Sequence, residues 1–204
     1  GFRPRPGTRY AEDLTNQSRF IPFYDTDGTP YVLVFENTAV KVIDTSTNAF
    51  VAGVSLGAPW TAAELYEIQH ASLGGEAWCV HRGDTPRKIA LTAGPTWGIS
   101  APTFTGDRTF AAAGDYPGVI AFISGRLFVG STDNEPLAVF GSQIPTAASG
   151  ATNYLGFALG TGTAADAIYL LENDMGAKRL AWLGVAGRIL AGTNRSVWMS
   201  DGNI

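Results

Sequence analysis

The sequence predicts an all-β protein made of small antiparallel sheets that are arranged like the blades of a propeller. Glycine is abundant, with 25 residues in 204, and aromatic residues make up 11% of the chain while charged residues make up 16%. This balance suits short strands joined by tight turns. Apolar, β-branched runs alternate with turn signals along the chain, and one strand–turn–strand unit occurs twice. Together these observations favour an all-β fold over a helical one.

The first half of the chain contains a series of apolar runs that we interpret as a meander of antiparallel strands. Turn-forming segments, such as the Asp-Thr-Asp-Gly at residues 25–28, separate them. The predicted strands are residues 20–24, 31–35, 39–43 and 48–51. Three further strands are predicted at residues 76–81, at 87–92 and near 97–99.

One short helix is predicted near residues 62–67. Thr61 precedes Glu64 by three residues, which is the capping-box pattern. In that motif the Thr61 hydroxyl accepts the Glu64 amide while the Glu64 carboxylate reaches back to Thr61.

The second half of the chain contains an internal repeat. Residues 123–131 (Ile-Ser-Gly-Arg-Leu-Phe-Val-Gly-Ser) match residues 185–193 (Val-Ala-Gly-Arg-Ile-Leu-Ala-Gly-Thr). An apolar strand precedes each copy, at residues 119–123 and 180–185, and a third strand follows, at residues 137–140 and 196–199. Gly125 and Gly187 supply the positive φ that tight hairpin turns need.

This repeat predicts stacked sheets, because a sheet this small cannot bury both faces by itself. The best prediction is a propeller, either complete or partial, and a β-sandwich is the alternative. The copies lie further apart than the usual repeat of about 40 to 50 residues, and the loop at residues 142–165 accounts for the excess. The expected organisation is an extended arm at 1–18, a first β region at 19–112 and a second at 113–204.

A search for chemistry in the sequence favours a protein that is not an enzyme. There is one cysteine, Cys79, and there are two histidines, which are too few for a metal cluster. No phosphate-binding loop or nucleophile elbow occurs in the sequence. We therefore expect no cofactor, no metal and no catalytic residues. Carboxylates near turns could form a glycosidase pair, although capping backbone amides is their commoner role; these are Asp44, Asp84, Asp115, Asp133 and Asp166.

The five tryptophans suggest which surfaces make contacts. Trp78, Trp182 and Trp198 lie inside strand runs, so core packing is the expected role. Trp60 and Trp97 border loops and are the better candidates for a contact surface.

Arg126 and Arg188 each begin the second strand of a repeat copy, and two interpretations stay open for them. A solvated turn residue paired with an acidic neighbour is the commoner outcome. A contact between subunits, or with the lumen of an assembly, is the functional alternative.

The overall charge limits the set of binding partners. The net charge is −4 and the pI is about 5.1, which disfavours a protein that binds nucleic acid through its phosphates. No run of about 20 apolar residues occurs, so no membrane partner is expected.

Several segments, taken in order, resemble a family of phage and prophage tail proteins related to the nozzle (tail tubular) proteins of short-tailed phages. The first is Arg-Pro-Gly-Thr-Arg at residues 5–9, followed by residues 19–23 and 31–35. The stretches at 60–71 and 81–97 are also similar to the corresponding parts of the family. Between residues 116 and 136, the elements Tyr-Pro, Arg-Leu, Gly-Ser and Pro occur in the same order as in the family. Residues 166–168 and 189–193 resemble the part that closes the region. The sequence departs from the family at Gly83-Asp84 and at residues 142–153.

The resemblance implies a structural role in the virion tail. Such proteins form homo-oligomeric rings below the portal and adaptor proteins and extend the DNA exit channel, so DNA would be passing cargo. The chain would then reside in the virion tail, and in the host cytoplasm during assembly. It would be part of a longer protein, since members of the family are usually several times longer.

Two other functions remain open at this point. The aromatic residues and turn carboxylates would suit a propeller that binds carbohydrate or processes glycosides. A general interaction propeller acting in the host cell is the third hypothesis.

Overall fold

The computed structural model describes residues 14, 16–92, 96–145, 154–160, 162–163, 165–171, 178–185 and 188–200. Within these residues the protein is all-β and contains 17 strands, which confirms the predicted fold class. The arm expected at residues 1–18 lies almost entirely outside the described residues.

The first two sheets are four-stranded antiparallel meanders. The first sheet has the order β1-β2-β3-β4 and the second has the order β5-β6-β7-β8. The strands of the first sheet are β1 (Arg19–Tyr24), β2 (Pro30–Glu36), β3 (Ala39–Asp44) and β4 (Ala49–Gly57). Those of the second sheet are β5 (Gln69–Leu73), β6 (Glu76–His81), β7 (Asp84–Thr92) and β8 (Thr96–Ser100).

The repeat forms the third and fourth sheets. The third sheet has the order β10-β11-β12-β14, and the fourth has the order β15-β16-β17. A small parallel pair joins β9 (Thr105–Gly106) to β13 (Gly156–Phe157). The remaining strands are β10 (Val119–Ile123), β11 (Arg126–Gly130), β12 (Ala138–Gly141), β14 (Ile168–Leu171), β15 (Leu180–Val185), β16 (Ile189–Thr193) and β17 (Val197–Met199).

The predicted hairpin turn of the first repeat copy is confirmed. Ile123 pairs with Arg126, so Ser124 and Gly125 form a two-residue turn between β10 and β11. Their φ angles are 48° and 75°, and two consecutive positive values define the turn type that matches the twist of antiparallel strands. The corresponding Gly187 lies outside the described residues.

The helix predicted near residues 62–67 is wrong, because this segment is a run of tight turns. Its hydrogen bonds run from the Glu64 amide to the Thr61 carbonyl and from the Glu67 amide to the Glu64 carbonyl, so each spans three residues. The carboxylate half of the capping box does form, because Glu64 Oε2 accepts from both the Thr61 amide and the Thr61 hydroxyl at 2.7 Å. A local cap therefore does not suffice to establish a helix when the segment that follows is this short.

In the part of the chain that the structure describes, three hydrophobic cores connect the four larger sheets in succession. The first lies between the first and second sheets and contains Phe23, Leu33 and Ile89. The second lies between the second and third sheets, and the third lies between the third and fourth. Within the third sheet, Leu127 and Val129 enter the second core while Phe128 enters the third. Alternate residues of one strand therefore serve different cores, as the period of two of a strand requires.

The succession of sheets is blade-like, although each core taken alone resembles a sandwich. The first strand of the third sheet, β10, lies beside β5 and β15, which are the first strands of the sheets on either side of it. The innermost strands of propeller blades meet in this way, whereas the first and second sheets contact each other through their last strands, β4 and β8. The segment at residues 101–117, expected to be a connector, joins the second and third sheets and contributes Phe104 and Phe110 to the second core.

Candidate functional site

Trp60 and Trp97 are core residues, so their interpretation as a contact surface is wrong. Trp60 is 0% exposed and packs against Phe35 with ring centroids 5.6 Å apart. Trp97 contacts Phe23 and Tyr31 edge-on, each at 5.1 Å between centroids. Proximity to a loop in the sequence did not indicate exposure, because the first core extends past the end of β4 to Trp60, and because Trp97 lies within β8.

Arg126 is buried, which contradicts the expectation of a solvated turn residue. It is 4% exposed, and its Nη1 donates to the carbonyl oxygens of Ser142 and Asp166, each at 2.6 Å. Burial lowers the pKa of the Arg126 guanidinium from its ordinary value. The side chain therefore stabilises the third sheet by linking the start of β11 to the backbone after β12 and before β14.

Arg188 repeats part of this arrangement in the second copy. Its Nη1 lies 3.5 Å from the Ser200 carbonyl, just as Arg126 contacts the carbonyl of Ser142. The serine hydroxyls also match, since Ser142 accepts from the Leu127 amide at 3.0 Å and Ser200 accepts from the Ile189 amide at 3.2 Å. The structure therefore extends the repeat to a serine that follows the third strand, a feature that the sequence comparison missed.

The outward face of the fourth sheet is an exposed apolar surface that extends across three strands. Trp182, Gly192 and Val197 lie side by side across the three strands, and Gly184, Leu190 and Met199 form the next row. Trp182 is 39% exposed, Val197 63% and Met199 55%. Trp182 was expected in the core and is instead on this face, whereas Trp78 and Trp198 do pack inside.

The glycines of this sheet determine where the Trp182 ring lies. A Cβ at Gly192 would sit 2.0 Å from the indole, so the ring lies directly over the Gly192 backbone. One glycine two residues after the tryptophan and another on the paired strand are the sequence signal that could have identified this surface. The outward side of the first sheet also carries exposed aromatic residues, Phe20 at 52% and Tyr24 at 59%.

One polar cavity gathers carboxylates, as a glycosidase site would, but each carboxylate already has a partner. Asp107 accepts from the Leu159 amide at 2.8 Å, and Asp115 accepts from the Asn134 side chain at 2.7 Å. Glu135 pairs with Arg108 at 2.6 Å and accepts from Tyr169 at 2.9 Å, which raises the pKa of Tyr169. The cavity measures about 90 Å³, well below the roughly 300 Å³ of a typical small-molecule site.

A larger cleft of about 420 Å³ lies beside the connector. Its lining is apolar or weakly polar and contains no titratable side chain; it consists of Thr85, Pro86, Ala101, Pro102, Thr103, Phe104, Thr109, Phe110 and Ala111. Such a lining can hold an apolar group, and its threonine hydroxyls have no titratable side chain within the lining to activate them.

Cys79 packs in the first core, as expected from its apolar run. It is 0% exposed, and burial raises the pKa of its thiol to about 12. The thiol is therefore uncharged at neutral pH and cannot act as a nucleophile there.

His81 lies at the end of β6 and is 7% exposed, at the centre of a group of acidic side chains. Its Nδ1 is 3.3 Å from Asp84 Oδ2, and its Nε2 is 3.6 Å from Glu67 Oε2. Glu64 approaches the same ring from the turn segment. The sequence analysis did not predict this cluster, although the spacing His81-Arg-Gly-Asp84 across a hairpin could have indicated it.

No protein-family model matches this chain, and no curated protein matches it either. No helix among the described segments has the length and apolar character needed to cross a membrane.

Proposed function

We propose that this chain is a structural component of a phage tail, similar to the nozzle proteins, that assembles with other tail proteins around the DNA exit channel. The observation that carries the proposal is the apolar outward face of the fourth sheet, formed by Trp182, Val197 and Met199. Inside the molecule, successive sheets pack through faces of this kind. A contiguous exposed patch of apolar side chains is typical of a protein–protein contact.

The sequence resemblance supports the same role and supplies the class of partner. It points to portal and adaptor proteins as neighbours and to a homo-oligomeric ring as the assembled form. The net charge of −4 is compatible with a channel through which DNA passes without being held, because like charges repel. Such a protein would reside in the virion tail.

The test is assembly of the full-length protein together with its portal and adaptor neighbours, followed by electron microscopy and native mass measurement. We expect a closed ring in line with the portal. Met199→Glu and Val197→Glu should weaken ring formation, because each places a charge on the apolar face. Thr47→Glu, in the exposed β3–β4 turn, is the matched control.

A protein that stays monomeric beside its neighbours, or that occurs in virions nowhere near the tail, would overturn the proposal. Equal assembly by the Met199→Glu, Val197→Glu and Thr47→Glu variants would exclude the fourth sheet as the contact surface. Nothing in the polar cavity favours the glycoside alternative, since its three carboxylates are engaged by described partners.

A further inference from the structure

We propose that Glu64, His81 and Asp84 form a binding site for a divalent first-row metal ion, with zinc as the best fit. One potential ligand atom from each of these side chains lies within 4.8 Å of the other two. The site joins the turn segment at residues 61–67 to the hairpin between β6 and β7. It does not depend on the proposed role in the tail.

The hairpin places two of the three ligands. His81 ends β6 and Asp84 begins β7, and the two residues are paired in the strand register, so only Arg82 and Gly83 separate them. His81 Nδ1 lies 3.3 Å from Asp84 Oδ2. In a tetrahedral zinc site with bonds of about 2.0 Å, neighbouring ligand atoms are also roughly 3.3 Å apart.

His81 Nδ1 and Asp84 Oδ2 meet as two hydrogen-bond acceptors. The Gly83 amide donates to His81 Nδ1 at 3.2 Å, so in this arrangement Nδ1 is an acceptor. The Asp84 carboxylate oxygen is also an acceptor, and two acceptors at 3.3 Å repel each other. A metal ion at Nδ1 would take the lone pair that now accepts from the Gly83 amide, so metal binding would replace this long hydrogen bond and place a cation between the two acceptors.

Glu64 completes the site from a fixed position. Its Oε2 is held by the Thr61 amide and hydroxyl, and these hydrogen bonds lower the pKa of the Glu64 carboxyl. Its Oε1 faces the hairpin, 3.8 Å from the point where a Cβ on Gly83 would be, and the His81 ring lies 3.1 Å from that same point. The hydrogen bonds to Oε2 therefore hold the carboxylate in place beside the hairpin, as a metal ligand requires.

The surroundings carry several negative charges, which favours a cation at this site. Glu67 lies 3.6 Å from His81 Nε2, which is the position of the carboxylate that orients a ligating histidine through its other nitrogen. Arg82 is 3.8 Å from Glu67. Three carboxylates thus converge on one imidazole beside one arginine, and a divalent ion would balance the excess negative charge. Imidazole together with carboxylates suits zinc and its neighbours in the first row.

The experiment is calorimetric titration of the tag-free full-length chain with ZnCl2 at pH 7. We expect saturable binding of one ion per chain and a higher midpoint of thermal unfolding with the ion bound. His81→Asn and Glu64→Gln should each weaken binding at least tenfold. His70→Asn is the matched control, because His70 is the other histidine of the chain and lies on β5, outside the group of ligands.

The Glu67→Gln and Asp84→Asn variants keep the test decisive if His81→Asn does not fold. Loss of the orienting carboxylate in Glu67→Gln should weaken binding by about 10- to 100-fold. Co²⁺ added in place of Zn²⁺ should give visible absorption bands that Asp84→Asn alters and His70→Asn does not. Absence of saturable binding in the natural chain, or equal loss in His70→Asn, would overturn the proposal.

Discussion

Arg126 and Arg188 occupy the same position in the two repeat copies, but Arg126 makes the shorter and more buried hydrogen bonds. Substituting each of them in turn therefore tests how much these hydrogen bonds stabilise the fold. Arg126→Met keeps most of the apolar stem but leaves the Ser142 and Asp166 carbonyls without this donor. We expect a loss of about 2–4 kcal/mol in the free energy of unfolding, since a hydrogen bond from a charged donor contributes about 1.5–3 kcal/mol and the Asp166 contact is only partly buried.

Arg188→Met should cost less than about 1 kcal/mol, because it removes one long contact of 3.5 Å from a half-buried side chain. Urea unfolding of both variants measures the difference. Equal losses in the two variants would show that the buried contacts of Arg126 do not stabilise the third sheet.

The Cys79 thiol gives a second prediction for a single residue. Burial raises its pKa to about 12 from an ordinary value of 9.0, so the folded state holds the proton more tightly than the unfolded state does. The stability that this proton provides is complete below pH 9 and is lost as the pH rises from 9 towards 12.

Modification of Cys79 by a thiol reagent at pH 8 should therefore follow unfolding. The expected rate in native buffer is far below the rate in denaturant, where the thiol is exposed. Rapid labelling of the native protein would contradict the placement of Cys79 in the first core.

At the scale of a strand, Gly130 in β11 and Gly98 in β8 differ in how much space surrounds their Cα atoms, so substituting each with alanine tests whether close packing requires the glycine. Gly130→Ala places a Cβ 2.3 Å from the Ala138 carbonyl oxygen on the neighbouring strand. We expect a loss of at least about 1–3 kcal/mol, which is typical of overpacking in a close-packed sheet. Gly98→Ala meets nothing within 4 Å and should change stability by less than about 1 kcal/mol. Thermal unfolding compares the two variants, and a neutral Gly130→Ala would contradict the register of β11 against β12.

The strands were predictable because turn chemistry and apolar runs are local properties. β6, β10 and β15 begin and end at the predicted residues. β4 continues to Gly57, beyond the predicted residue 51, because its later half pairs with β3 beyond an irregularity in the register. The sequence of one strand does not record that pairing.

The exposure of side chains was less predictable, since it depends on which sheets become neighbours. Trp60 and Trp182 had their roles exchanged in the sequence analysis: the first is buried in a core between sheets, and the second lies on the last sheet of the series. The His81 cluster was missed for the same reason. It brings together Glu64 and Asp84, which lie on different elements.

At the scale of the whole molecule, the four sheets should differ in how readily they open. The second sheet packs on both faces, whereas the fourth has three strands and one exposed apolar face. We expect backbone amides in β15 and β16 to exchange with deuterium faster than those in β6 and β7, because fewer contacts oppose local opening.

Hydrogen exchange measured by mass spectrometry on the isolated chain tests this order. In an assembled ring, the fourth sheet should gain protection if its outward face is the contact surface. Uniform exchange across all four sheets of the isolated chain would instead indicate that they unfold as one unit.

The alternation within β11 has a consequence for how this sequence can vary. Leu127 and Phe128 are adjacent along the chain but belong to different cores. Phe128 instead shares the third core with Ile189, which lies on β16 in the next sheet. Substitutions at Leu127 and Phe128 should therefore be tolerated independently, whereas a change of volume at Phe128 calls for compensation at Ile189. A one-residue insertion in β11 would turn every following side chain of the strand to the opposite face, and therefore into the wrong core. Natural variants of this protein should therefore differ in length in the loops and keep the number of residues in each strand.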